Sequence, residues 1–174
     1  MDRELQARAA AIRLLALDVD GVLTDGRIYY GNSGEELKAF NIKDGLGIKL
    51  LQGAGVTVAI ITGRNSAIVQ RRASELGISE VIQGREDKII ALQQLTQRLA
   101  IDLRECAYMG DDLPDLAAMR AAGIGMTVAD AVTSVANHAD WQSRSAGGQG
   151  AVREACEYLL AARDALGDAE ADYL

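Results

Sequence analysis

Short apolar runs that break on polar or glycine residues recur along this chain, and between them lie stretches with helical spacing. Residues 14–17, Leu-Leu-Ala-Leu, lead into Asp18, and Asp20, Gly21, Thr24, Asp25 and Gly26 turn the chain away. Such a run predicts a buried strand, here about 12–18, that delivers its last side chains to a sheet edge. Residues 56–61 form a second run, β-branched almost throughout, ending on Thr62-Gly63-Arg64, and 106–109 form a third, ending on Gly110-Asp111-Asp112. Shorter runs at 80–82, 124–128 and 139–142 predict further strands.

Helical spacing fills the gaps. Helices are expected over 2–11, 43–53 and 65–76, the last with Ile68, Val69, Ala73 and Leu76 on its inner face and Gly77 as its stop. Another runs from 85 to about 100, with Ile89, Leu92, Leu95 and Leu99 facing inward. Pro114 marks the start of the next, which stops at Gly123; a short helix at 131–138 and a C-terminal helix to about 166 complete the set. Residues 27–30 and 37–42 flank the polar turn 31–36, a hairpin signal, and its position after the first strand makes it a flap over that strand's end.

Strands alternating with helices of this length predict an α/β fold, a Rossmann-like parallel sheet with helices on both faces. The flap hairpin, about 27–42, is too small to be a cap domain, and one domain is expected over 1–174, with a C-terminal loop and helix at about 145–166. In an open parallel sheet the carboxyl ends of the strands share one edge, where ligands bind. Asp18 and Asp20, Thr62 to Arg64, and Asp111 and Asp112 therefore meet there, with Lys88 at the start of a helix that faces the same edge. Taken alone, Asp-x-Asp-Gly reads more readily as a solvated turn than as a site, since Asp and Gly both favour turns; the other strand ends make it a site.

These residue types suit phosphoryl transfer through a covalent intermediate. A carboxylate, Asp18, can attack phosphorus. Attack by an anion on a phosphate needs cations, and Asp18, Asp111 and a main-chain carbonyl near Asp20 offer an oxygen-rich site for Mg²⁺. Lys88 and the Thr62 hydroxyl can hold phosphoryl oxygens, and Asp20 can serve as general acid and then base.

Composition narrows the setting. The chain has 174 residues, 49% hydrophobic and 25% charged, with no apolar run near the ~18 residues of a membrane span. A net charge of −7 argues against nucleic-acid or anionic-membrane partners, though not against a phosphorylated small molecule beside a bound cation. The N-terminus lacks the pattern of a signal peptide, so a cytoplasmic location is expected. Cys106 and Cys156 read as reduced packing residues, with no metal-ligand spacing and one His, His138, which reads as surface structure. Trp141 reads as packing beneath the C-terminal loop.

In this order, DVDGVLTDG, TGR, Lys88 and GDDLPD resemble the motifs of the haloacid dehalogenase superfamily. The resemblance implies Asp18 as nucleophile, Asp20 as acid/base, Thr62 with Gly63 and Lys88 as phosphoryl ligands, and Asp18, Asp20 and Asp111 as the Mg²⁺ site. It implies supporting positions for Asp112 and Asp115, the latter in the outer shell near Lys88 or a metal-bound water. DGVLTDGRIYY, FNIKDGLGIKLL, TGRNSAIVQRRASELGI and AGGQGAVREAC further resemble the cap-less 3-deoxy-D-manno-octulosonate 8-phosphate (KDO 8-phosphate) phosphatases of lipopolysaccharide synthesis. That closer resemblance implies a homotetramer in which flap hairpins pack together and neighbouring subunits complete each site.

Several positions stay open. Arg64 and Arg72, eight residues apart and expected on one side of the same helix, are either contacts for the sugar acid or solvated arginines, and Arg71 faces solvent. The glycine-rich loop 147–150 is either close to the ligand or a mobile cap, and Tyr29 and Tyr30 face either substrate or a neighbouring subunit. Asp112 is either part of the ligand shell or a helix N-terminal charge, with support favoured. The closer resemblance implies an eight-carbon sugar acid phosphate as substrate, with a nine-carbon acid or a broader range of sugar phosphates as the alternative. A non-catalytic binding module and a receiver-like phospho-acceptor domain are less favoured, because every catalytic position is kept and the expected nucleophile lies on the first strand.

Overall fold

The structure is a computed structural model describing residues 3–174. Its elements are α1 (Arg3–Ala10), β1 (Leu14–Leu17), β2 (Tyr29–Tyr30), β3 (Glu36–Leu37), α2 (Ile42–Gly53), β4 (Thr57–Ile61), α3 (Ala67–Glu75) and β5 (Glu80–Ile82). There follow α4 (Lys88–Leu99), β6 (Cys106–Gly110), α5 (Leu113–Ala121), β7 (Ile124–Thr127), α6 (Thr133–Ala136), β8 (Trp141–Gln142), α7 (Ala151–Ala162) and α8 (Leu166–Ala171). A single 3-10 turn at Leu103–Glu105 leads into β6.

Six strands form one sheet in the order β5-β4-β1-β6-β7-β8, and every pairing in it is parallel. From β1 the chain winds outward through β4 to β5, then returns to the other side of β1 as β6 and continues to β8. The strand order therefore reverses beside β1, and a crevice opens at its carboxyl end. Side chains alternate across the sheet. Leu15 and Leu17 pack with Ile48 and Leu51 of α2, Val69 and Ala73 of α3, and Leu159 of α7. Leu14 and Ala16 pack with Leu92 and Leu95 of α4, Met119 of α5 and Val135 of α6. Burial of both faces explains why these strands read as unbroken apolar runs.

Most expected elements are present, and the departures have local causes. The helix expected over 2–11 is described from Arg3, since Asp2 lies outside the described residues. The second flap strand, expected over 37–42, is Glu36–Leu37 only, because the Asn41 side chain accepts the Lys43 amide at 2.9 Å and caps α2 from Ile42. Helix α3 begins two residues later than expected, with Ser66 as its cap, so Arg64 precedes the helix. The C-terminal helix stops at Ala162; Asp164 adopts a left-handed φ of 54°, and α8 follows as a separate helix. Trp141 stacks on Tyr158 of α7, with ring centroids 5.5 Å apart.

Candidate active site

Strand β1 ends one residue before Asp18, β4 one residue before Thr62 and β6 one residue before Asp111. Parallel pairing puts all three on one edge, where they line a cavity of about 620 Å³ with Asp20, Gly63, Arg64, Lys88, Asp112 and Asp115. Gly26, Glu86 and Pro114 complete the wall.

The floor is a charged cluster. Lys88, the first residue of α4, is 5% exposed and places its ammonium 2.9 Å from Asp18 Oδ1 and 2.7 Å from Asp115 Oδ1. Burial alone lowers the pKa of a lysine, but here the Asp18 and Asp115 carboxylates outweigh it and hold the ammonium charged. Asp115 is fully committed. Its Oδ1 also accepts the Tyr108 hydroxyl at 2.9 Å, and its Oδ2 accepts the amides of Asp111 at 3.1 Å and Asp112 at 3.3 Å. Asp115 thereby ties the end of β6 to the start of α5, while Asp112 caps that helix through the Leu113 amide at 2.7 Å.

Asp18 and Asp111 stand differently. Burial first, and then the neighbouring Asp115 carboxylate, push the Asp18 pKa from 3.8 up to about 7 against the pull of Lys88. Burial, followed by Asp18 and Asp115, does the same to Asp111. Asp111 Oδ1 is buried with no hydrogen-bond partner. Carboxylate oxygens of Asp18, Asp111 and Asp115 lie within 4.8 Å of one another, the one such acidic group among the described residues. An orphaned carboxylate oxygen beside a second buried carboxylate fits a hard divalent cation, whose charge would replace the missing partner. With its oxygens taken by Lys88, Tyr108 and two amides, Asp115 is suited to support rather than ligation.

The turn after β1 is shaped for this approach. Gly21 has a φ of 95°, and a Cβ there would stand 2.1 Å from Asp111 Oδ2. Thr24 closes the turn by accepting the Gly21 and Gly26 amides. The 147–150 loop packs on the far side: Gly148 donates to Val22 O at 2.9 Å, and a Cβ on Gly147 would meet Gly21 O at 1.8 Å. The loop is thus a backbone support for the turn, held further by Asp130, which accepts the Gly147 amide at 2.9 Å.

Not every expected residue joins the cavity. Arg64 lines it and donates to Glu36 Oε2 of the flap at 2.8 Å. Arg72 does not: its guanidinium lies 5.8 Å from the Phe40 ring centroid and pairs with Glu75. The expectation that the two share a helix face fails because Arg64 stands before the Ser66 cap. Arg71 pairs with Glu75 in solvent. The Asp20 carboxylate lies outside the acidic group and is bound by the ammonium of Lys38, which also lies 3.5 Å from Glu36. Sequence reasoning misses Lys38 and Glu36, although the two charged residues flank the single apolar Leu37. Tyr29 and Tyr30 are both exposed, Cys106 and Cys156 are buried, and the His138 ring contacts Ser134 O at 2.7 Å away from the cavity.

Residues 72–155 match the model of the haloacid dehalogenase-like hydrolases. The chain is 49% identical over 167 residues to the 3-deoxy-D-manno-octulosonate 8-phosphate phosphatase of Escherichia coli (strain B / BL21-DE3), spanning 96% of this chain and 89% of that protein. The crystal structure of the Moraxella catarrhalis 3-deoxy-D-manno-octulosonate 8-phosphate phosphatase, in complex with magnesium ion, phosphate ion and KDO, superposes with a TM-score of 0.98 at 48% identity, covering 100% of both chains. The cobalt-bound form of the Haemophilus influenzae deoxy-D-mannose-octulosonate 8-phosphate phosphatase gives 0.89 at 39% identity, covering 92% of this chain and 94% of that one.

Proposed function

This chain belongs to the haloacid dehalogenase-like hydrolases, in the family of the 3-deoxy-D-manno-octulosonate 8-phosphate phosphatases, and from that premise we propose that it hydrolyses this sugar acid phosphate to KDO and phosphate. The observation that carries the reading is the cluster of buried Asp18 and Lys88 with half-buried Asp111 at the end of β1. It combines a nucleophile, a fixed cation and an orphaned carboxylate oxygen in one crevice.

Asp18 attacks phosphorus, with its carboxylate aimed by the Lys88 ammonium at 2.9 Å. Lys88 and the Thr62 hydroxyl, with the Gly63 backbone, hold the phosphoryl oxygens. Asp20 protonates the leaving alkoxide and then takes a proton from the water that releases phosphate from Asp18. Asp18, Asp111 and the main-chain carbonyl of Asp20 would hold Mg²⁺, which when bound orients the phosphoryl group and screens its charge. Asp115 and Asp112 keep Lys88 and the Asp111 backbone in place.

A homotetramer of these chains is part of the same reading. The flap and the start of α2 expose Tyr30 at 70%, Leu37 at 62% and Ile42 at 82%, an apolar surface suited to a second copy. Arg72 stands beside Ile42, outside its own cavity, where it serves a neighbour's site by meeting the sugar acid's carboxylate. Arg64 meets the substrate in its own subunit. No described helix is long and apolar enough to cross a membrane, and the reading keeps the cytoplasmic location expected from sequence.

The test is a panel of phosphorylated sugar acids and simple sugar phosphates, ranked by kcat/KM with and without Mg²⁺. Preference for the eight-carbon 3-deoxy acid, lost on metal removal, supports the reading. Preference for a nine-carbon acid, or equal activity on simple sugar phosphates, overturns the substrate assignment.

A further inference from the structure

The side chain of Lys38 is 1% exposed although it stands on the flap next to Leu37, which is 62% exposed. Lysine is rarely buried to this degree unless it is paired. Its ammonium donates to Asp20 Oδ1 and lies 3.5 Å from Glu36 Oε1, while Glu36 Oε2 accepts from Arg64 at 2.8 Å. An ordered chain of alternating charge thus runs from the turn after β1, through the flap, to the end of β4. It is separate from the Lys88 cluster: Lys88 pairs with Asp18 and Asp115, Lys38 with Asp20 and Glu36.

We propose that Lys38 is a positioning residue for proton transfer by Asp20, an inference that rests on the phosphatase reading above. The ammonium occupies Oδ1, so Oδ2 is the oxygen that handles the proton. In the first half-reaction the proton on Oδ2 moves to the ester oxygen as its bond to phosphorus breaks, the electron pair staying on that oxygen. The Asp18–phosphorus bond forms in the same step, and the Asp20 carboxylate left behind faces the Lys38 ammonium. In the second, Oδ2 takes a proton from water while the water oxygen bonds to phosphorus and the bond to Asp18 breaks. Glu36 holds Lys38 and Arg64 together, so the flap sets the acid/base and a substrate-facing arginine in one relation.

The experiment compares single-turnover phosphorylation by the full chain with Mg²⁺ on two esters. The sugar acid phosphate has an alkoxide leaving group that needs a proton; 4-nitrophenyl phosphate has one that does not. Lys38→Met is expected to slow the first by about tenfold to a hundredfold and the second by less than about threefold, the signature of impaired general acid catalysis. Lys38→Arg recovers most of the loss, and Glu36→Gln shows the same selectivity at smaller size. Equal losses on both esters, or a parental rate on the sugar acid phosphate, overturn the proposal. Asp20→Asn is the reference. If it shows the selective loss and the Lys38 and Glu36 variants do not, only the Lys38 proposal fails; if it shows none, the acid/base assignment fails with it.

Discussion

Gly21 and Asp111 meet so closely that a methyl group on the first would stand 2.1 Å from Oδ2 of the second. The contact joins the end of β1 to the end of β6 and fixes how near Asp111 comes to Asp18. Gly21→Ala therefore meets two penalties, the collision and a φ of 95° that costs an L-residue about 1–2 kcal/mol. The expected outcome is a fall in Mg²⁺ affinity of at least about tenfold, since ligand misplacement weakens a cation site strongly. Metal titration followed by calorimetry checks it.

Asp115 is the second structural pivot. Asp115→Asn keeps the shape but withdraws the charge that pairs with Lys88 at 2.7 Å and turns one acceptor into a donor facing existing donors. Breaking a buried pair in this way costs about 3–5 kcal/mol. Denaturant unfolding is expected to show a loss of that order, and kcat to fall with it because Lys88 is no longer held toward Asp18.

These two residues also mark how much the sequence makes legible. The convergence of Asp18, Thr62 and Asp111 is readable because each apolar run breaks on polar or glycine residues and parallel strands align their ends, and Lys88 joins them from the start of a helix that faces the same edge. Lys38 is hidden, since a lysine just past the two-residue strand β3 has no periodicity to set its direction, and only the packed flap shows it turned inward. The side taken by Arg72 is likewise set by tertiary packing on Phe40, and counting eight residues from Arg64 misleads because the helix begins at Ala67. Helix α8 is short and starts after a left-handed Asp164, a conformation that no hydrophobic spacing announces.

Proton and metal binding are linked at Asp18 and Asp111, both raised from 3.8 to about 7. A carboxyl with a raised folded pKa binds more protons folded than unfolded between those values. Its contribution to stability is whole below about 4 and is lost as pH rises through 7. Mg²⁺ displaces the same protons. The thermal shift caused by Mg²⁺ is therefore expected to grow from pH 5 to pH 8, reaching about 5–10 °C at a hundredfold excess over Kd. Scanning calorimetry at the two pH values, with and without Mg²⁺, checks the sign; a larger shift at pH 5 contradicts it.

Arg72 tests the shared site. If it reaches a neighbour's substrate, then Asp18→Asn and Arg72→Ala subunits, each inactive as homo-oligomers, recover activity when mixed and reassembled. Each active site then draws an intact Asp18 from one subunit and an intact Arg72 from another. Activity assays on subunits refolded together check this, and no recovery in a verified mixed oligomer sends Arg72 back to a role on the subunit surface.

Phosphorylation of Asp18 is the central step of the proposed reaction. Rapid acid quench after mixing enzyme, Mg²⁺ and substrate carrying labelled phosphorus, followed by peptide mapping, measures that directly. The predicted result is label on the peptide containing Asp18, appearing and decaying as fast as turnover, and absent from Asp18→Asn, which folds but does not turn over. Label on another residue, or turnover by Asp18→Asn at the parental rate, would contradict it.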